Sequence, residues 1–322
     1  MKLFRRLLIG LALAVAIPLA FLLYTWNGPG PLDQDTAFIV PQGAGVSQIA
    51  DLLEEEGAIA SAERFKVGAR VLGGGEAIKA GEFMLPARAS ASRILAILQS
   101  GDVIRRMITI PEGMPSIMVH EKLMAEKLLT GEIPVPPEGT ILPNTYDFGR
   151  GESRAAVLKR MQDAMSATLQ ELWPTRSPQS VVDTPEQAVT LASIVEKETG
   201  KPSERGKVAG LYSNRIRQGM FLQADPTIIY PITKGKPLGR RIRQSEIQAV
   251  NGYNTYTMPG LPVGPITNPG RESIAAVLNP EPTGALFMVA DGTGGHLFAD
   301  TIEQHNANVA RWYAIRRERG EM

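Results

Sequence analysis

The chain has 322 residues, 43% of them hydrophobic and 21% charged, enough to bury a sizeable core and to fill about two domains. Thirty-four Lys and Arg against thirty-three Asp and Glu leave a net charge of +1, so no global field favours nucleic acid. The absence of cysteine excludes disulfides, thiol nucleophiles and cysteine metal sites, and His120, His296 and His305 show no H-E-x-x-H spacing, so no metal is expected.

The apolar residues concentrate at the start. Leu7 to Tyr24 carries no charge, and Lys2, Arg5 and Arg6 precede it. At about 1.5 Å per residue such a run nearly spans a hydrocarbon layer of about 30 Å. It ends Leu23-Tyr24-Thr25-Trp26-Asn27, without a small-x-small cleavage site, which favours a retained anchor over a signal peptide. The positive-inside rule then puts the basic tail in the cytoplasm, with Tyr24 and Trp26 at the far interface and the rest of the chain outside. Asn27 to Gln34, NGPGPLDQ, reads as a short linker.

Beyond it, TAFIVPQGAG predicts a strand and turn, and Val46, Ile49, Ala50, Leu52 and Leu53 predict a helix with Ser47 as N-cap. A helix over about 62–71 stops at three glycines, Ile78 to Met84 reads as a strand, and Ser90 to Gln99 as a helix closed by Gly101. Ile39 to Gly43 is echoed by Ile108 to Gly113, which again leads into a helix, Ser116 to Ala125. The Pro-rich loop 133–139 precedes a long helix from about Ser153 to Leu172, whose methionines at helical spacing read as core.

Thr184-Pro185-Glu186-Gln187 is a compact helix start, with Thr as N-cap, Pro at the first position and Gln completing a capping box. In the helix that follows, Ala188, Ala192, Val195 and Thr199 form one apolar stripe with Glu196 on its margin, while Glu198 points about 200° away at roughly 100° per residue. A carboxyl beside an apolar surface loses solvation of its anion, so its pKa rises and it can donate a proton near neutral pH. The plainer alternative is a salt bridge to Lys197, Lys201 or Arg205. Downstream, Tyr212 to Arg215, Leu222 to Thr227 and Asn251 to Thr257 are polar clusters that read as loops, rich in amides and Tyr suited to a polyhydroxylated ligand. Near the end, Leu286 to Ala290 and His296 to Phe298 read as a hairpin, and about Ile302 to Arg319 as a helix with a basic end. No cofactor is expected, since no G-x-x-x-x-G-K-[ST] cradle occurs.

Ser193 to Thr199 (SIVEKET), Ser203-Glu204-Arg205, Asn214-Arg215, Leu222 to Thr227 (LQADPT), Tyr253 to Tyr256 (YNTY), Gly260-Leu261-Pro262 and Phe287 to His296 (FMVADGTGGH) resemble the YceG-like endolytic transglycosylase family, in order over roughly residues 36–318. The resemblance implies a membrane-anchored enzyme of the cytoplasmic (inner) membrane, single-pass with its N-terminus inside. The catalytic part would lie in the periplasm and cut nascent peptidoglycan strands. It also implies an α+β fold divided into a tail and anchor (1–26), a linker and LysM-like subdomain (27–105) and a catalytic domain (106–322). The family's essential glutamate falls on Glu196, and Asn214, Gln223, Asp225, Tyr253 and Asn254 fall on its motifs as substrate-binding or positioning residues. Asn144 stands where an acid is expected in L-P-D-T-Y.

The implied reaction is lytic. The muramic acid C6 hydroxyl attacks its own C1 and leaves a 1,6-anhydro end, so one glutamate serves as acid and then as base, aided by the tethered nucleophile. Glycan strands are the implied partner, with peptidoglycan synthases as further partners, and termination of elongation is the implied role. Two alternatives stay open: a hydrolase, if Asp225 lies about 5–9 Å from Glu196, and a glycan-binding scaffold without catalysis.

Overall fold

The structure, a computed structural model, describes residues 2–320. The chain divides into two compact units, one holding the residues up to Arg106 with Asp147–Gly151, the other Met107–Tyr146 and the residues from Glu152 onward. The architecture is α+β, with three two-stranded sheets among the described residues.

The first unit begins with α1 (Lys2–Asn27). Within it Phe4–Asn27 is long and apolar enough to cross a membrane, and none of its most apolar stretch is buried in the protein. The end of α1 departs from the expected interface belt. Tyr24 is exposed, but Trp26 is buried against Phe65, ring centroids 5.7 Å apart. The Gly/Pro linker is likewise packed down: Leu32 is buried, and Gly30 N–H donates to the Arg88 carbonyl. An indole and a leucine beside an apolar core lose more by facing water than a linker gains in freedom.

β1 (Thr36–Val40), α2 (Val46–Glu55), α3 (Ala62–Leu72) and β2 (Gly81–Leu85) follow, then α4 (Ala91–Ser100). β1 and β2 pair antiparallel, Thr36 opposite Leu85 and Val40 opposite Gly81. Their inner side chains, Phe38, Phe83 and Leu85, join Ile49, Leu53, Ile94 and Leu98 in a fully buried core. Ser61 and Ser90 cap α3 and α4 by accepting the N–H groups of Arg64 and Arg93, and left-handed Gly101 ends α4. Ser47 lies inside the first turn of α2, not before it: Gly45 is the N-cap, and its carbonyl takes the Ile49 N–H. Glu82, buried on β2, is neutralised by Arg106 at 2.8 Å and Arg150 at 3.1 Å.

The division between units falls within β3 (Arg105–Thr109) and β4 (Thr145–Gly149), which pair with each other. Between them lies α5 (Ser116–Ala125). The second unit continues through α6 (Arg154–Leu172), α7 (Pro185–Glu198), α8 (Arg205–Arg217), α9 (Asp225–Thr233), the short α10 (Gln244–Ile247) and α11 (Arg271–Leu278). It ends with the hairpin β5 (Phe287–Ala290) and β6 (His296–Ala299), and with α12 (Ile302–Glu318).

α7 is the centre of this unit, with α8, α9 and α11 packed on it. Thr184 accepts the Gln187 N–H, as the start signal requires, while the Gln187 side chain reaches Asp183 N–H, one residue before the N-cap. Every residue from Ala188 to Val195 is buried, so α7 has no solvated face along this stretch. Ser193, fully buried, is satisfied by the Thr190 carbonyl and by the Ile266 N–H. Tyr212 to Arg215 lie on α8 rather than in a loop, because Val208, Ala209, Leu211 and Tyr212 give that segment an apolar face against α7.

Candidate functional site

The last turn of α7 presents Glu196, Lys197 and Glu198 in three different directions. The Glu196 side chain is only 5% exposed and both oxygens are engaged: Oε2 accepts the Gly270 N–H at 2.9 Å, and Oε1 lies 3.5 Å from Arg205 Nη2. Arg205 also pairs with Glu112. Gly113 lies beside this carboxyl in a left-handed conformation that favours glycine. Its φ is +72°, and a Cβ there would come 3.5 Å from Glu196 Cγ. α7 ends at Thr199, whose hydroxyl reaches Glu204 at 3.3 Å; Glu204 in turn holds the Nδ1 of His296 at 2.8 Å, tying β6 to this end of the helix.

Glu198 faces the other way. Its Oε1 is buried without a hydrogen-bond partner. Lost solvation first, and the charge of Asp225 second, push its pKa up to about 7; the Tyr212 hydroxyl and Arg215 pull downward without cancelling this. A carboxyl raised to about 7 keeps a protonated population near neutral pH, which a general acid needs. Tyr212 is fully enclosed, and burial, with the Glu198 charge, holds its phenol well above the ordinary range. Arg215 is buried over this cluster and spends its donors on the Leu286 carbonyl at 2.6 Å and the Leu222 carbonyl at 2.9 Å. Asp225 starts α9, and the Tyr256 hydroxyl donates to its Oδ1 at 2.6 Å.

Two segments are fastened together to make this arrangement. The buried hydroxyls of Thr227 and Thr255 meet at 2.9 Å, Ala224 N–H donates to Thr255 Oγ1, and Gln223 N–H donates to the Thr255 carbonyl. This lock brings Gln223, Asp225, Tyr253, Asn254 and Tyr256 into one neighbourhood. Gln223 is exposed with φ +51°, a conformation that costs a non-glycine residue energy and is held by the surrounding bonds. Asn254 is completely buried, its amide donating to the carbonyls of Ile247 and Ala249 and its Oδ1 accepting from Tyr256 N–H. Tyr253 packs on Tyr230, ring centroids 4.8 Å apart. Asn214 is engaged elsewhere: its amide donates to the carbonyls of Thr283 and Ala285, and Arg217 takes its oxygen. Asn144 closes a local turn by accepting the Thr145 N–H.

The sequence sets Glu198 aside as pointing away from Glu196, and it does not show how burial and the charge of Asp225 act on that carboxyl. The available signal was the E-K-E spacing itself, two carboxyls on opposite sides of a helix whose middle is apolar in every direction. Beside the site runs a groove of about 480 Å³, bordered by Pro111 to Pro115, Met118, Lys197, Pro226, Ile229, Gly235 to Pro237 and Ile266. Among the described residues no three His, Asp or Glu are grouped to hold a metal ion.

Comparison with known proteins gives this geometry a context. The model of the YceG-like family matches residues 38–311. The chain is 26% identical to the endolytic murein transglycosylase of Bacillus subtilis (strain 168), over 90% of this chain and 89% of that protein. It is 28% identical to the endolytic murein transglycosylase of Streptococcus pneumoniae (strain D39), over 84% of this chain and 57% of that one. A 2.6 Å crystal structure of a yceG-like protein from Listeria monocytogenes superposes with a TM-score of 0.53 at 25% identity, covering 85% of this chain and 99% of the other.

Proposed function

Because the chain belongs to the YceG-like family, we propose that it is an endolytic peptidoglycan transglycosylase that cleaves the MurNAc–GlcNAc bond of nascent strands. It leaves 1,6-anhydro-MurNAc ends and so terminates glycan elongation. The observation that carries this reading is the buried Glu198, poised near pH 7 beside the charge of Asp225.

Glu198 protonates the glycosidic oxygen as its bond to C1 of MurNAc breaks. The C6 hydroxyl then closes on C1, and its proton passes to the Glu198 carboxylate, which restores the acid without water being consumed. Asp225 has two effects: its charge adds to burial in raising the Glu198 pKa, and it favours the positive charge that develops on the sugar ring. Family resemblance carries the essential glutamate onto Glu196, and we place the acid on Glu198 instead. The oxygens of Glu196 already accept from Gly270 N–H and pair with Arg205, whereas Glu198 Oε1 has no partner. Gln223 and Tyr253 are the sugar contacts in this reading; Asn214 and Asn254 hold the segments that carry the site.

The remaining assignments follow the family. α1 is a single-pass anchor of the inner membrane, with the chain beyond it in the periplasm near peptidoglycan synthases. Residues 27–105 form a LysM-like glycan-binding subdomain, supported by the order β1-α2-α3-β2 with its antiparallel strand pair, and 106–322 form the catalytic domain.

A second reading, a two-carboxylate glycan hydrolase, is favoured by the electrostatic coupling of Asp225 to Glu198 and requires their carboxyls to lie about 5–9 Å apart. Mass spectrometry of digested glycan strands separates the cases. Anhydro ends are expected, reducing ends would move the assignment to hydrolysis, and uncut glycan would leave only a binding protein.

A further inference from the structure

The groove at the end of α7 has a chemistry that the sugars alone do not explain. Its walls are apolar, from Met114 and Met118 on one side to Ile229 and Ile266 on the other. Two of its charged residues are already occupied, Glu112 by Arg205 and Lys236 by Glu121. Lys197 is not: it is exposed, borders the groove, and has no hydrogen-bond or ion-pair partner among the described residues. Gly235 to Pro237 on its border belong to the segment 234–243, KGKPLGRRIR, which carries five cations and no acid in a chain whose net charge is only +1; of these, Arg240 is paired with Glu246. The groove reaches the end of α7 through Lys197 and through Gly113, which lies beside Glu196, and it reaches the start of α9 through Pro226.

A ligand complementary to this surface combines small apolar groups with negative charge. The hydroxyls and acetamides of a glycan chain offer neither together. The short peptide stem on each muramic acid offers both, as side-chain methyls and free carboxylates. We propose that this groove receives the peptide stem of the glycan strand and that Lys197 pairs with a stem carboxylate, making the protein selective for strands that still carry their stems. The inference rests on the transglycosylase reading and names which strands that site accepts. A charge-assisted hydrogen bond to an otherwise unpaired ammonium is worth about tenfold in affinity.

The test compares uncrosslinked glycan strands bearing stems with the same strands stripped by an amidase, using the full chain in detergent. Stem-bearing strands should be cut with kcat/KM about tenfold higher, the difference residing in KM. Lys197→Met should bring the ratio between the two substrates close to one, and Lys197→Arg should restore it. Equal efficiency of the unaltered protein on both substrates overturns the proposal. So does an equal loss on both with Lys197→Met, which would place Lys197 at the sugars or at the lactyl carboxylate that stripping exposes. If neither substrate is cut, the transglycosylase reading fails by itself, and equilibrium binding of the same two strands, with and without Lys197→Met, still decides the stem preference by the same ratio.

Discussion

The charge of Asp225, on the first turn of α9, falls on the buried carboxyl of Glu198 at the end of α7 and lifts a pKa that burial has already raised, to about 7. Neither residue achieves this alone. Glu198 is cut off from water by its burial at the end of α7, and Asp225 is held in place by Tyr256 and, through the Thr227–Thr255 pair, by the segment around Asn254.

The first prediction concerns pH. A group that must donate a proton is competent below its pKa, so kcat/KM should fall as pH rises through about 7. Asp225→Asn removes the charge that raises Glu198, and the falling limb should move to lower pH. A profile between pH 5 and 9 that is flat, or a limb that stays in place in Asp225→Asn, would show that another group supplies the proton.

The second concerns stability. A carboxyl whose pKa is higher in the folded than in the unfolded state binds protons on folding. Its contribution is complete below about 4.5 and is lost as pH rises through about 7. Glu198→Gln mimics the protonated form at every pH. It should abolish cleavage yet melt above the unaltered protein at pH 8, by on the order of 2–3 kcal/mol, with the gap closing toward pH 5. Thermal melts at the two pH values check this, and a variant that melts lower at pH 8 would contradict the burial argument.

How the sequence relates to this arrangement is clearest on α7. The Thr184-Pro185 start, the helix and its acidic final turn were legible because capping and periodicity are local. What surrounds each of its two glutamates was not, because the stripe argument assumes one buried and one wet face. With Ala188 to Val195 all buried, the partners of each side are decided by α8 and α9, far along the chain. The same limit applies to Asn214, whose cluster read as a loop until packing on α7 made it helix α8, and to Trp26, where proximity to an apolar run suggested a membrane interface but Phe65 supplied a core.

Trp26 gives a third prediction. A Cβ on Gly68 would lie 2.2 Å from the indole ring, so the glycine is needed for α3 to receive the end of α1. Gly68→Ala should destabilise the first unit by about 1–3 kcal/mol through overpacking. In combination with Trp26→Leu the cost should be smaller than the sum of the two, since the second change removes the clash. Additive losses in urea melts would mean that the two side chains are not in contact.

The last prediction separates the two glutamates by sign. Glu196 and Arg205 are both nearly buried and each depends on the other for charge balance. Arg205→Leu leaves the carboxylate enclosed without its cation and should cost about 3–5 kcal/mol, the usual consequence of breaking a buried pair from one side. Glu196→Gln keeps an oxygen for the Gly270 N–H but deprives Arg205 of one of its two partners, Glu112 remaining, so its loss should be smaller and still measurable. Glu196→Gln should therefore melt lower and retain part of its cleavage, whereas Glu198→Gln should melt higher at pH 8 and retain none. Assays of both variants on the same glycan strands decide it: complete loss in Glu196→Gln with activity kept in Glu198→Gln would return the proton to Glu196, and would make the buried Glu198 a structural acid instead.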